Sequence, residues 1–202
     1  MARILLALLC VLSAHAALIT SAPPGGSTTV VGTGTGCSGG SIGSFSVVTI
    51  SGPVCWPNSQ FFGLTNNGSW NNFGQIGTND ATASFTLDLG ALFSSAGFFM
   101  NYNLPLPGAG PILSAIANDG ITILESYDID TLAPISTPNG LNAGAFRGIS
   151  RPSADIRFIK VGNAFSVVHS ITVANQSTAV PEPATFLLLA PALFYLRRRH
   201  SC

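Results

Sequence analysis

The sequence predicts an all-β protein whose central part is a single β-sandwich. Short apolar runs recur from Phe45 onward between clusters of Gly, Pro and Asn, the pattern of strands separated by turns. No stretch of this central part keeps a 3.6-residue apolar period over successive helical turns. Charge is scarce at 8%, while Gly (22 residues), Ser, Thr and Asn are frequent. Such a surface is solvated by hydroxyls and amides, which suits an exported β protein better than a helical one faced with Lys and Glu.

The expected elements follow in order. Residues 17–44 form a lead-in of Pro, Gly, Ser and Thr with little to bury, expected to be extended or loosely ordered. Strands are expected at 45–50, 60–64, 82–89, 97–103, 112–117, 120–129, 154–159 and 166–173. The clearest is the third, where Phe85, Leu87 and Leu89 alternate with Thr86 and Asp88. Residues 89–100 are the best helix candidate, weakened by Gly90 and Gly97. In the last strand Val167, His169, Ile171 and Val173 share a face by simple alternation. The segment 45–179 is long enough for one two-layer core and too short for two domains.

Both termini read as addresses. At the N-terminus, Arg3, an apolar run from Ile4 to Leu12 and the small-residue site Ala14-His15-Ala16 come in the order of a signal peptide over residues 1–16, cleaved before Ala17. At the C-terminus, residues 180–202 begin with Pro181-Glu182-Pro183. They continue as an apolar stretch from Phe186 to Leu196 and end in Arg197, Arg198 and Arg199. The stretch is shorter than the roughly 20 residues of a relaxed spanning helix. Pro191 interrupts it, which a membrane helix tolerates. The arginines hold the cytoplasmic side, so a transmembrane helix here leaves the body outside.

This order of motif, apolar segment and arginine cluster resembles the PEP-CTERM sorting signal of Gram-negative bacteria. The resemblance implies recognition and processing by an exosortase, transient residence in the inner membrane, and a setting of exopolysaccharide and biofilm. His200, Ser201 and Cys202, which follow the arginines, depart from the usual pattern. The 86–90 strand, Phe146-Arg147-Gly148-Ile149 and Ile171-Thr172-Val173 are similar, at the level of pattern, to the sandwich bodies of such proteins. That likeness implies a jelly-roll-like sandwich, and no binding residue carries over from it.

Cys10 and Cys202 lie in the two addresses, which leaves Cys37 and Cys55 as a pair in an exported body. A disulfide is the expectation, and no nearby His or further Cys completes a set of metal ligands. Between residues 17 and 180 there are four basic and seven acidic residues, a net charge of −3. No basic field exists to attract nucleic acid.

Chemistry is harder to find. Gly36-Cys37-Ser38-Gly39-Gly40 matches the G-x-S-x-G nucleophile pattern, and residues 34–39 also match G-x-G-x-x-G. Both motifs need a strand before and a helix after, and the segment is simply glycine-rich. His169, the single histidine of the body, reads as a packed residue. Asp128 and Asp130, with Glu125 and Asp119 nearby, are weak candidates for a calcium site or a carboxylate pair, against solvated acids at a strand end. Trp56, Phe61, Phe62, Trp70 and Phe73 are candidates either for the core or for a sugar-stacking platform, with Trp56 and Trp70 the residues to watch. Asn67-Gly68-Ser69 and Asn175-Gln176-Ser177 fit the glycosylation pattern incidentally. The expected function is that of an exported, non-catalytic surface or extracellular-matrix protein without a required cofactor, associated with extracellular polysaccharide. A carbohydrate-binding module is the alternative, and a secreted hydrolase a more distant one.

Overall fold

A computed structural model describes residues 15–30, 36–38, 44–45, 48–52, 54–56, 61–71, 75–78, 80–104, 110–142 and 144–175. Most of the expected signal peptide and the whole of the expected sorting motif, with Pro181, Glu182, Pro183 and Arg197 to Arg199, lie outside them. Among the described residues no helix is long and apolar enough to cross a membrane.

The strands in chain order are β1 (Ala17–Ile19), β2 (Ser27–Thr29), β3 (Gly36–Ser38), β4 (Ser44–Phe45), β5 (Val48–Ser51), β6 (Val54–Trp56), β7 (Phe61–Gly63), β8 (Ser69–Asn71) and β9 (Ile76–Gly77). There follow β10 (Ser84–Phe93), β11 (Ser95–Asn103), β12 (Ile112–Ile116), β13 (Ile123–Asp128), the one-turn helix α1 (Ile129–Leu132), β14 (Leu141–Asn142), β15 (Ala145–Ser150), β16 (Ile156–Gly162) and β17 (Phe165–Ala174). One antiparallel sheet runs β1-β15-β11-β17-β9-β6-β3, with β2 also on β17; a second runs β13-β12-β16-β10-β5-β4. A small third sheet, β14-β8-β7, contains one parallel pair, β14 with β8. From β10 to β17 the long strands pass repeatedly between the two large sheets.

The alternation foreseen in β10 is real. Phe85, Leu87 and Leu89 are buried and meet Phe98, Met100 and Tyr102 from β11, Leu113 from β12, Ile149 from β15 and Ile159 and Val161 from β16. Burying each large side chain stabilises the fold by about 1.5–3 kcal/mol. Residues 89–100 are two strands joined at Ser94, not a helix. Gly90 has φ +78°, and its N–H donates to Asp88 Oδ1 (2.9 Å) where the register against β16 shifts. Glycine permits that bulge and weakens a helix for the same reason.

The lead-in is extended in its first described part and joins the sheet. In it β1 adds to the edge of β15, and β2 pairs with Ile171, Thr172 and Val173 of β17. Short polar segments do this without a core of their own, because backbone pairing and sheet-edge protection suffice.

The face assigned to β17 also changes. Ser170 has φ +53°, and the register against β11 slips between Gly97 and Phe99. This bulge resets the alternation. Val168, Ile171 and Val173 face the main core, while Val167 joins Leu64 and Trp70 in a second cluster.

The first and last described strands come together. Ala17 pairs with Ser150, Ser150 with Ser95, and Ser95 with Ala174. Three strand spacings, about 14 Å, separate the first strand residue from the last.

Candidate functional site

Two clefts stand out. The larger, about 500 Å³, lies at the end where the body begins and finishes, between Ile19, Pro23, Pro24, Ser95 and Asn175. Among the described residues its lining contains no ionisable side chain. The smaller, about 280 Å³, lies at the other end of β11, around Tyr102, Asn103, Leu104 and the segment that follows α1. The smaller one gathers the chemistry.

Its floor is built from a strap, residues 133–137, fastened across the sheet by three side chains. Arg147, 7% exposed, donates through Nε to Ala133 O (2.8 Å), and through its two other nitrogens to Phe146 O (2.7 Å) and Pro134 O (3.1 Å). Burial lowers its pKa, yet a guanidinium ringed by carbonyls stays charged. Tyr102, 2% exposed, accepts at its hydroxyl from Ile135 N–H (3.1 Å) and donates to Asp130 Oδ1 (3.0 Å). Burial is the main cause pushing its pKa up to about 12, opposed by the Ile135 bond and reinforced by Asp130.

Asn67 completes the fastening. It ends a single 3-10 turn, Thr65–Asn67. Its Nδ2 faces Asn101 Oδ1 (2.7 Å), Tyr102 O (2.8 Å) and Ile135 O (2.9 Å), and its Oδ1 accepts from Thr137 N–H (2.6 Å). Gly68 follows with φ +81°, and a Cβ there would stand 2.3 Å from Gly140 O. The Asn-Gly pair is therefore set by a close backbone approach. The Asn67 amide of the apparent glycosylation motif is committed inside the protein.

The acidic candidates take different partners. β13 stops at Asp128 and α1 starts at Ile129, so Asp128 and Asp130 do not share a strand face as alternation suggested. Asp128 caps α1, accepting from Thr131 N–H (3.1 Å), while Asp130 turns to Tyr102. Asp119 shapes the β12–β13 turn by accepting from Ile121 N–H, Thr122 N–H and the Thr122 hydroxyl. The Thr122 hydroxyl, then the backbone bonds, hold its pKa below the usual carboxylate value. Glu125 pairs with Arg151, which also binds Asp155. Among the described residues no group of three His, Cys, Asp or Glu side chains could hold a metal ion.

The aromatic platform also fails at Trp70. Its side chain is 0% exposed and lies in the cluster with Leu64 and Val167. A Cβ on Gly144 would stand 2.4 Å from Trp70 Cζ3. A sugar cannot stack on a buried ring, and Trp70 serves the core. The side chains of Trp56, Phe61, Phe62 and Phe73 lie outside the described residues. The glycine-rich motifs lie partly outside as well, but Ser38 sits within β3 opposite Val54, whereas a nucleophile elbow puts its serine on a turn. His169 is half-buried and bonded through Nδ1 to the hydroxyl of Ser170.

Sequence reasoning singled out Asp130 but missed Tyr102, Asn67, Arg147 and the strap. The Asn-Gly turn signal at 67–68 and an arginine in the apolar run 145–150 were the available hints. Compared with known proteins, the chain matches no family model, no curated protein and no solved structure.

Proposed function

We propose that this chain is an exported, non-catalytic surface or matrix protein of a Gram-negative bacterium, delivered by a signal peptide and sorted by an exosortase through its C-terminal PEP-CTERM-like signal. The sandwich is of jelly-roll type, and the mature protein associates with extracellular polysaccharide. The observation that carries this reading is the coincidence of β1 with the expected cleavage site. Among the described residues strand pairing begins at Ala17, the residue that the expected cleavage makes the new N-terminus. The last described strand ends at Ala174, on the same transverse row, before the expected sorting region.

The same reading places the body in an oxidising compartment. In β3 and β6, Cys37 stands directly opposite Cys55. Opposed residues of an antiparallel pair have Cα atoms about 4.5–5.5 Å apart, within the disulfide range. We therefore assign these two cysteines to a disulfide.

The sorting signal is tested by substituting Pro181-Glu182-Pro183 with alanines, or Arg197 to Arg199 with glutamines, in the native host. Both variants should accumulate as unprocessed precursor in the inner-membrane fraction and disappear from the surface and medium. Normal processing of both would refute an exosortase signal.

A further inference from the structure

We propose that the 280 Å³ cleft at the strap end of the sandwich binds a single neutral sugar ring, such as the terminal unit of a glycan. This deepens the proposed association with extracellular polysaccharide: the site is argued from the cleft, and its outward placement rests on that reading.

Polar groups around the cleft fall into two sets. Those of Asn67, Tyr102 and Arg147 are spent on holding the strap, through the bonds described above. A second set lines or rims the same space uncommitted. Asp130 uses Oδ1 for Tyr102, and its Oδ2 has no partner among the described residues. The side chains of Asn66 and Ser136, both exposed, are also without a partner among the described residues. The spent set fixes the geometry of the unspent one, which is the preorganisation that binding requires.

The unspent set defines a ligand. A carboxylate oxygen accepts only, whereas an amide and a hydroxyl each both donate and accept. The complement must offer one donor and, close by, groups that act both ways. Adjacent hydroxyls on one ring do this. Leu104 and Pro134 add apolar wall, suited to the C–H face of a ring. The Asp130 carboxylate disfavours anions, so phosphates and uronic acids are selected against. The volume lies at the lower end for ligand pockets, which fits one ring rather than an oligosaccharide. The location is also apt. The cleft lies beside Asn103, eight residues along β11 from Ser95. That distance is about 27 Å from the row where the body starts and ends, so a protein held by its C-terminus presents this end outward.

The test uses the full chain in a detergent without a sugar headgroup, such as lauryldimethylamine oxide. Saturation-transfer NMR is recorded with D-glucose, D-galactose and N-acetyl-D-glucosamine as neutral rings and D-glucuronate as the acidic control. At least one neutral ring should bind, and D-glucuronate about tenfold more weakly or not at all. Asn66→Ala and Ser136→Ala should each weaken neutral binding about three- to tenfold, the loss of one hydrogen bond. Their thermal midpoints should not change, since neither side chain is buried. Asp130→Asn should narrow the gap between neutral and acidic rings. Failure of all three neutral sugars to bind overturns the proposal. So does binding that none of the three substitutions alters.

Discussion

Asp130 and Trp70 show what a sequence can and cannot say about a single residue. Both were picked out, but their partners decide their roles. Asp130 looked like half of a carboxylate pair and is a partner of Tyr102. Trp70 lies in an Asn- and Gly-rich stretch that resembles an exposed sugar platform, and it is buried. Local composition sets the neighbours in sequence, whereas burial is set by β14 and Gly144, far along the chain. Trp70→Ala should therefore cost about 3–5 kcal/mol in urea unfolding, as for a buried aromatic; a change within about 0.5 kcal/mol would mark a surface residue. Tyr102 supplies a pH signature. Its pKa is raised in the folded state to about 12, so its contribution is complete below the unfolded value near 10 and is lost as pH rises through 12. Tyr102→Phe should lower stability at pH 7 by about 1–3 kcal/mol by stranding its partners. It should also flatten the fall in stability between pH 10 and 12. Urea titrations across that range would show an unchanged slope if Tyr102 were not the group responsible.

At the scale of elements, period-two patterning succeeded where strands are long and one-sided. β10 is the clearest case, and β11, β12, β13, β16 and β17 fall near their expected places. The structure departs from this patterning in two ways. β1, β2, β3, β6, β8, β9 and β14 are two or three residues long, too short for periodicity to register, and they exist because a neighbouring edge accepts them. β17 was found, but with its faces misassigned beyond Ser170, because a bulge inserts one residue and no pattern of apolar residues marks the insertion. The β3–β6 pair carries its own prediction. A disulfide between Cys37 and Cys55 closes a loop of about 19 residues and contributes about 3 kcal/mol. Replacing both cysteines by serine should lower stability by about that amount, and reduction of the native protein should do the same. Quantitative thiol labelling of the mature protein under denaturing conditions should find no free thiol; two reactive thiols would exclude the bridge.

At the scale of the whole molecule, the all-β class was readable because low charge, glycine frequency and short apolar runs agree with one another. The closing of the body upon itself was not readable. It depends on β15, whose run 145–150 holds Arg147 and Gly148 and was not expected as a strand, yet it bridges β1 to β11. The result is a body that starts and finishes at one end and carries its polar cleft at the other. That polarity gives the sorting reading its physical sense, since a tether at one end leaves the other free. The central claim, export followed by removal of both addresses, is tested most directly by intact-mass and peptide mass spectrometry of the protein recovered from the cell surface and medium of its host. The account predicts an N-terminus at Ala17 and a C-terminus near Pro181-Glu182-Pro183, with any added mass there identifying what the chain is joined to. Exported protein that uniformly retains Cys202 would contradict it, and the C-terminal segment would then be an ordinary membrane anchor.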